Sequence, residues 1–90
     1  MNRKQLELLN IVTDLRRALM DYALSPQKAN YQNSPFLQNI VKNFPRLQKL
    51  DPAISEFVNI SYLQDDSDPP LVKAESLLMS SNLLQHYLGF

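Results

Sequence analysis

The sequence contains no cysteine and one glycine among its 90 residues. Without cysteine the chain can form neither a disulfide framework nor a thiolate metal site, and a reducing compartment is the natural expectation. With one glycine it cannot build the glycine-rich loops that bind phosphate groups. These absences exclude small disulfide-stapled domains and nucleotide-binding domains of the P-loop type.

Long apolar runs are also absent. The longest apolar stretches contain only a few residues, far below the roughly 20 that span a bilayer. Residues 1–9 mix charge with leucine and lack the apolar segment and cleavage site of a signal peptide. We therefore expect a cytoplasmic protein. Tyr87 and Phe90 lie beside leucines near the C-terminus, so a peripheral contact with a membrane surface stays open as an alternative.

The composition is that of a folded protein, with 44% hydrophobic and 20% charged residues. We expect residues 1–90 to form one domain with a small core. The net charge is zero but unevenly distributed: eight basic and three acidic residues precede Asp51, whereas one basic and six acidic residues follow from it. Two interpretations stay open. Either the two halves attract each other across the fold, or a basic face meets an anionic partner.

Apolar periodicity predicts helices throughout. Between Arg3 and Leu24 the apolar residues recur at steps of four and three, which predicts a first helix with one buried stripe. That stripe consists of Leu8, Val12, Leu15, Leu19 and Tyr22. A capping residue followed by proline occurs at Ser34-Pro35, Asp51-Pro52 and Asp68-Pro69 and predicts the starts of three further helices.

The second helix is expected to carry its apolar face to Phe44 and to stop or kink at Pro45, because proline lacks the N–H that a helix interior requires; of the two, a break is favoured. The third helix is expected to run from the Asp51 cap through Ile54, Phe57 and Val58 to Tyr62 or Leu63. The fourth is expected to end at Gly89. Its predicted inner face consists of Leu71, Ala74, Leu77, Leu78, Ser81, Leu84 and Leu88. The fold expected is all-α, an antiparallel up-and-down four-helix bundle.

Residues that carry chemistry are few. His86 is the single histidine, with no cysteine in the chain and no acid next to it in sequence, so no catalytic dyad or triad is predicted. Asp65, Asp66 and Asp68 lack the central glycine and distal glutamate of a calcium loop, and we interpret them as a solvated acidic turn before the fourth helix. We predict no catalytic, cofactor or metal site, and therefore a binding protein rather than an enzyme.

One group of short stretches in the second half resembles a known family. It comprises Asp51-Pro52-Ala53-Ile54-Ser55-Glu56-Phe57, then Pro70-Leu71-Val72-Lys73, Leu77-Leu78 and the terminal Gly89-Phe90. With the cysteine-free composition and the chain length, these stretches resemble the immunity proteins of pediocin-like (class IIa) bacteriocins. The first half is similar to that family only in the order and length of its helices.

The resemblance implies a cytoplasmic four-helix bundle that confers resistance to an antimicrobial peptide. It implies binding to a membrane receptor, the mannose phosphotransferase permease, when the bacteriocin occupies it, with no small-molecule substrate. It also implies that the second half and the tail choose the bacteriocin. The candidate contact residues are Tyr62, His86, Tyr87 and Phe90. The alternative is a small cytosolic helical adaptor or regulatory protein that acts through homodimerisation or, through its basic half, a nucleic-acid contact.

Overall fold

Four α-helices and two short 3₁₀ segments account for 78% of the chain in a computed structural model that describes residues 1–90, and there are no strands. The α-helices are α1 (Arg3–Leu24), α2 (Pro35–Leu50), α3 (Ile60–Gln64) and α4 (Pro70–Leu88). The 3₁₀ segments are Tyr31–Asn33 and Pro52–Glu56. The prediction of an all-helical fold with four helices is confirmed.

Helix α1 has the bounds that its apolar period predicts. It begins with a capping box, in which the Asn2 side chain accepts from the Gln5 backbone N–H and the Gln5 side chain accepts from the Asn2 N–H. Its buried residues are Leu8, Ile11, Val12, Leu15, Ala18 and Tyr22. This stripe is the largest contribution of any one helix to the core.

Helix α1 packs against both α2 and α4. Arg46 near the end of α2 pairs with Glu7 near the start of α1, and Asn39 near the start of α2 pairs with Asp14 in the middle of α1. Toward α4, Arg16 contacts Asn82 near the end of α4, whereas the Tyr22 hydroxyl reaches the segment before α4. The core lies between these three long helices.

Helix α2 continues through Pro45, so the predicted break is wrong. Proline cannot donate to the carbonyl of Val41 and costs a helix interior about 3 kcal/mol. The last turn is nevertheless held from outside the helix. Leu47 is buried in the core, and the guanidinium of Arg46 lies 2.7 Å from a carboxylate oxygen of Glu7. These tertiary contacts offset the lost backbone hydrogen bond.

The predicted third helix is not continuous. Asp51 does cap the segment, accepting from the Ala53 N–H, but the segment is a 3₁₀ turn that ends at Glu56. The five-residue helix α3 then starts separately, with the Asn59 side chain accepting from the Tyr62 N–H. The β-branched Val58 and the capping preference of Asn59 both disfavour a continuous helix here. Burial of Ile54, Val58 and Leu63 fixes the segment to the core.

Helix α4 differs from its prediction at its start and on its inner face. The Asp68 side chain does not cap it; Pro69 occupies the N-cap position without a side-chain hydrogen bond. Ala74, Leu77, Ser81 and Leu84 are buried as expected, and Leu88 is partly buried. Leu71 and Leu78, also predicted to face inward, are 62% and 44% exposed. The position one turn before Leu77 is instead taken by Lys73, whose side chain is fully buried.

Candidate protein-binding surface

The end of α4 is attached to the rest of the fold through Tyr87. Its hydroxyl donates to Oδ2 of Asp51 at 2.7 Å, and its ring centroid lies 5.0 Å from that of Phe57. The hydrogen bond to the Asp51 carboxylate raises the pKa of the Tyr87 hydroxyl. The ring is still 45% exposed, so one side of Tyr87 is anchored and the other faces solvent.

His86 and Phe90 flank this anchor and are exposed. Gly89 ends α4 with a positive φ of 86°, a conformation that glycine adopts without steric cost. The backbone N–H of Phe90 then donates to the carbonyl of Gln85, which turns the last residue back over the helix end. Phe90 is 53% exposed. The structure therefore brings His86, Tyr87 and Phe90 together at one end of the molecule.

Tyr62 lies elsewhere. Its hydroxyl donates to Oδ2 of Asp68 at 3.0 Å, and its ring lies 5.5 Å from the ammonium of Lys73. Burial raises the pKa of its hydroxyl; a hydrogen bond with Ser76 acts in the opposite direction, and Asp68 adds to the rise. Lys73 and Tyr87 are fourteen residues apart on α4, or about 21 Å along its axis. Tyr62 and the tail residues therefore do not form one compact cluster.

Apolar residues also cover the solvent-facing side of α4. We call this side the outer face. It bears Leu71, Val72, Glu75, Leu78, Met79, Asn82, Leu83 and His86. Met79 is 64% exposed and Leu83 is 50% exposed. A shallow depression of about 320 Å³ runs between Glu75, Leu78, Met79, Asn82 and Leu83. Its walls are largely hydrocarbon.

A soluble helix packed on one side normally carries polar residues on the other. Helix α4 does not, and exposed apolar patches of this kind mark interaction sites. Sequence reasoning missed the outer face because it assigned Leu71 and Leu78 to the core. The sequence does contain a sign of this face: α4 has more apolar residues than one buried stripe needs. Val72, Met79 and Leu83 fall outside the predicted inner face.

Helix α1 borders the outer face. The guanidinium of Arg16 donates to Oδ1 of Asn82 at 3.3 Å and to the side chain of Gln85. Met20 and Leu24 follow Arg16 at steps of four and therefore lie on the same side of α1. They are 50% and 71% exposed. The exposed apolar surface thus includes residues of both helices.

Lys73 is the most unusual side chain in the molecule. Its fully buried ammonium donates to the carbonyl of Leu63 at 2.9 Å, to the carbonyl of Asp65 at 2.6 Å and to Oδ1 of Asp66 at 3.2 Å. The ring of Tyr22 lies 5.3 Å away. All three N–H donors of the ammonium have acceptors, as a buried charge requires. Lys73 ties the start of α4 to the end of α3.

Asp66 completes this cluster and is not merely a residue of a solvated turn. Oδ1 accepts from the Tyr22 hydroxyl at 2.8 Å, and Oδ2 accepts from the Tyr31 backbone N–H at 2.9 Å. Burial opposes ionisation of Asp66, but the bonds from Tyr31, Tyr22 and Lys73 outweigh it and lower its pKa. Asp66 therefore links α1, the first 3₁₀ segment and the loop before α4.

Asp51 forms a second linking point. Besides Tyr87 and the Ala53 N–H, its carboxylate meets the ammonium of Lys4 at 3.3 Å. Burial acts against its ionised form, whereas the bonds from Tyr87, Ala53 and Lys4 lower its pKa, and the net direction is down. The starts of α1 and of the second 3₁₀ segment and the end of α4 meet here.

Ion pairing between the two halves is limited to Lys4 with Asp51. The remaining pairs, Arg3 and Arg46 with Glu7 and Lys73 with Asp66, lie within one half. Direct ion pairs between the halves are therefore few. No three or more His, Cys, Asp or Glu side chains are arranged to hold a metal ion.

These observations describe an all-helical protein with an apolar outer face beside an aromatic tail. None of its helices combines the length and the apolar composition needed to cross a bilayer. No protein-family model matches the chain, and no match was found among curated proteins or among solved structures.

Proposed function

We propose that this chain is a bacteriocin immunity protein. It binds the bacteriocin-occupied mannose phosphotransferase permease from the cytoplasmic side of the membrane and acts without catalysis. The resemblance of the stretches from Asp51 to Phe57 and from Pro70 to Leu78 to class IIa immunity proteins supports the specific function. The up-and-down arrangement of the four helices is part of the same proposal, and the short α3 counts as one of the four.

The observation that carries the proposal is the exposed apolar outer face of α4. The outer face ends at His86, and Phe90 follows at the tail; both residues are exposed. Exposed aliphatic and aromatic residues of this kind supply the buried centre of a protein–protein interface once a partner covers them. The outer face extends about 22 Å from Leu71 to His86, and together with the tail it forms one candidate contact region.

Within this region the structure suggests different tasks for the predicted residues. Phe90 and His86 are free to enter a pocket of the partner, whereas Tyr87 is held by Asp51 and presents a fixed edge. Tyr62 is bound to Asp68 at the opposite end of α4. We expect Tyr62 to affect binding less than Phe90.

The test is a binding assay with membranes from a sensitive lactic acid bacterium. Purified protein is sedimented with inverted vesicles, which expose the cytoplasmic side, after loading the cells with each member of a panel of class IIa bacteriocins. We expect binding only with bacteriocin and only in membranes that contain the permease. Leu83→Glu should weaken it at least tenfold, because a charge would be buried without a partner.

Leu50→Glu provides the matched control. Leu50 is 43% exposed, close to the 50% of Leu83, and it belongs to α2 rather than to the outer face of α4. It should bind like the wild type. Bacteriocin-independent binding to membranes or to a soluble protein would favour the adaptor function, and salt-dependent binding to duplex DNA would favour a nucleic-acid contact by the basic half. Either result would contradict the immunity proposal.

A further inference from the structure

The outer face of α4 has an internal symmetry. Its midpoint lies between Ser80 and Ser81, and helical residues equally far from that point pair as Glu75 with His86, Leu78 with Leu83 and Met79 with Asn82; the first two pairs are chemically complementary. Four of the five residues that line the depression pair among themselves in this way. The midpoint of the pattern therefore lies within the depression.

A two-fold symmetric interface requires this kind of pattern. In such an interface residue i of one protomer contacts residue j of the other, and j contacts i. When two copies of one helix pack antiparallel, residues on opposite sides of the midpoint come face to face. We infer that the outer face of α4 binds a second copy of this chain, α4 against α4, in an antiparallel arrangement with its two-fold axis between Ser80 and Ser81.

Charge complementarity supports a second copy as the occupant. Glu75 and His86 are the titratable residues on the outer face, and both lie near its central line, eleven residues apart. In the antiparallel dimer each Glu75 carboxylate meets the His86 ring of the other protomer, whose N–H can donate to it. A parallel arrangement would instead place Glu75 against Glu75. The acid and the histidine therefore favour the antiparallel register.

The apolar pairs provide the buried area. Leu78 meets Leu83 twice by symmetry, and both side chains are about half exposed in the isolated chain. One helix face contributes a small interface, below roughly 1,200 Å² in total, the size class of weak and transient complexes. We therefore expect weak self-association that depends on protein concentration. The dimer therefore forms only where the local concentration of the protein is high.

This inference does not depend on the proposed function. The dimer and a membrane receptor would cover the same residues, among them Leu83 and His86, so the two states are mutually exclusive. Dimerisation is measured with the purified chain alone. A failure of the dimer and a failure of the receptor proposal are therefore distinguishable.

The first test measures self-association by sedimentation velocity between about 1 and 500 µM. We expect a concentration-dependent dimer that Leu83→Glu removes and Leu50→Glu preserves. Glu75→Arg and His86→Glu should each weaken it at least tenfold, and the double variant Glu75→Arg/His86→Glu should restore it, because the charges are exchanged across the interface. A wild type that is monomeric at 500 µM, or a double variant no stronger than either single variant, would overturn the inference.

The second test probes the register directly and tolerates small losses of stability. Since the chain has no cysteine, single Glu75→Cys and His86→Cys variants can form disulfides only between protomers. In the antiparallel dimer residues 75 and 86 face each other, whereas the two copies of residue 75 are about 16 Å apart along the axis, too far for a disulfide. An equimolar mixture should oxidise to dimer at least tenfold faster than either variant alone. Equal rates would contradict the register.

Discussion

Replacement of Lys73 tests the account of the fold most severely, because its ammonium is fully buried and joins three acceptors. Lys73→Met keeps most of the apolar stem and removes the charge. It leaves the carbonyls of Leu63 and Asp65 without this donor, at about 1 kcal/mol or more each. Asp66 keeps its bonds to Tyr22 and Tyr31 and is partly solvated, so it contributes less to the loss of stability than the two carbonyls do. We expect a loss of about 2–3 kcal/mol.

Lys73→Ala removes the stem as well and leaves a cavity beneath Tyr22. Each buried methylene group contributes about 0.8 kcal/mol. The total loss should therefore approach about 4–5 kcal/mol, a large part of the roughly 5–13 kcal/mol expected for a domain of this size. Urea unfolding followed by circular dichroism measures both losses, and the slope with denaturant shows whether unfolding stays two-state.

The exposed Lys42 of α2 supplies the control. Lys42→Met should stay within about 0.5 kcal/mol of the wild type, as surface substitutions usually do. If Lys73→Met were equally mild, the buried ammonium would not hold α3 and α4 together. The reasoning from buried, fully paired charge would then be refuted for this site.

Three further predictions concern the backbone at Pro45 and Gly89 and the carboxylate of Asp51. Pro45→Ala should stabilise the protein by about 1–2 kcal/mol in urea unfolding, because α2 is continuous there and gains a hydrogen bond to the Val41 carbonyl; destabilisation would contradict this. Gly89→Ala should cost about 1 kcal/mol, since φ is 86° and no other atom lies within 4 Å of the added methyl group. The lowered pKa of Asp51 means that its stabilising contribution is present above its ordinary pKa of 3.8 and is lost as pH falls through its folded-state value. Asp51→Asn should therefore be less stable at pH 7 and lose less stability between pH 5 and pH 2; an unchanged acid profile would contradict this.

Local signals predicted the long helices well. The bounds of α1 follow from one apolar stripe, and Ser34 caps α2 through its hydroxyl, as the Ser-Pro pair predicts. These features depend on residues within a few positions of one another. Gly89 ends α4 for the same kind of reason, because a single glycine after an apolar helix favours a left-handed cap.

The break in the predicted third helix has a local cause in Val58 and Asn59, whereas other errors concern tertiary contacts. Pro45 does not break α2 because Leu47 and Arg46 are held by α1, which no local rule reveals. Lys73 is buried because Leu63, Asp65 and Asp66 come together around it from another segment. The stripe that contains Lys73, Leu77, Ser81 and Leu84 was visible in sequence, but a lysine within it is normally assigned to solvent.

The candidate surface was predicted in part. The structure brings His86, Tyr87 and Phe90 to one end of the molecule and places Tyr62 at the other end of α4. The outer face was not predicted, because a leucine-rich helix carries enough apolar residues for a core stripe at several rotations about its axis. Packing against α1 selects one rotation, and the remaining apolar residues then face solvent.

The central claim is that this chain protects a cell from a class IIa bacteriocin through the outer face and tail of α4. Its most direct test is survival of a sensitive lactic acid bacterium that expresses the wild type, Leu83→Glu or Leu50→Glu, each verified as folded, against a panel of these peptides. The account predicts survival against one or a few peptides for the wild type and Leu50→Glu, and killing for Leu83→Glu. Killing of all three strains by every peptide would contradict it.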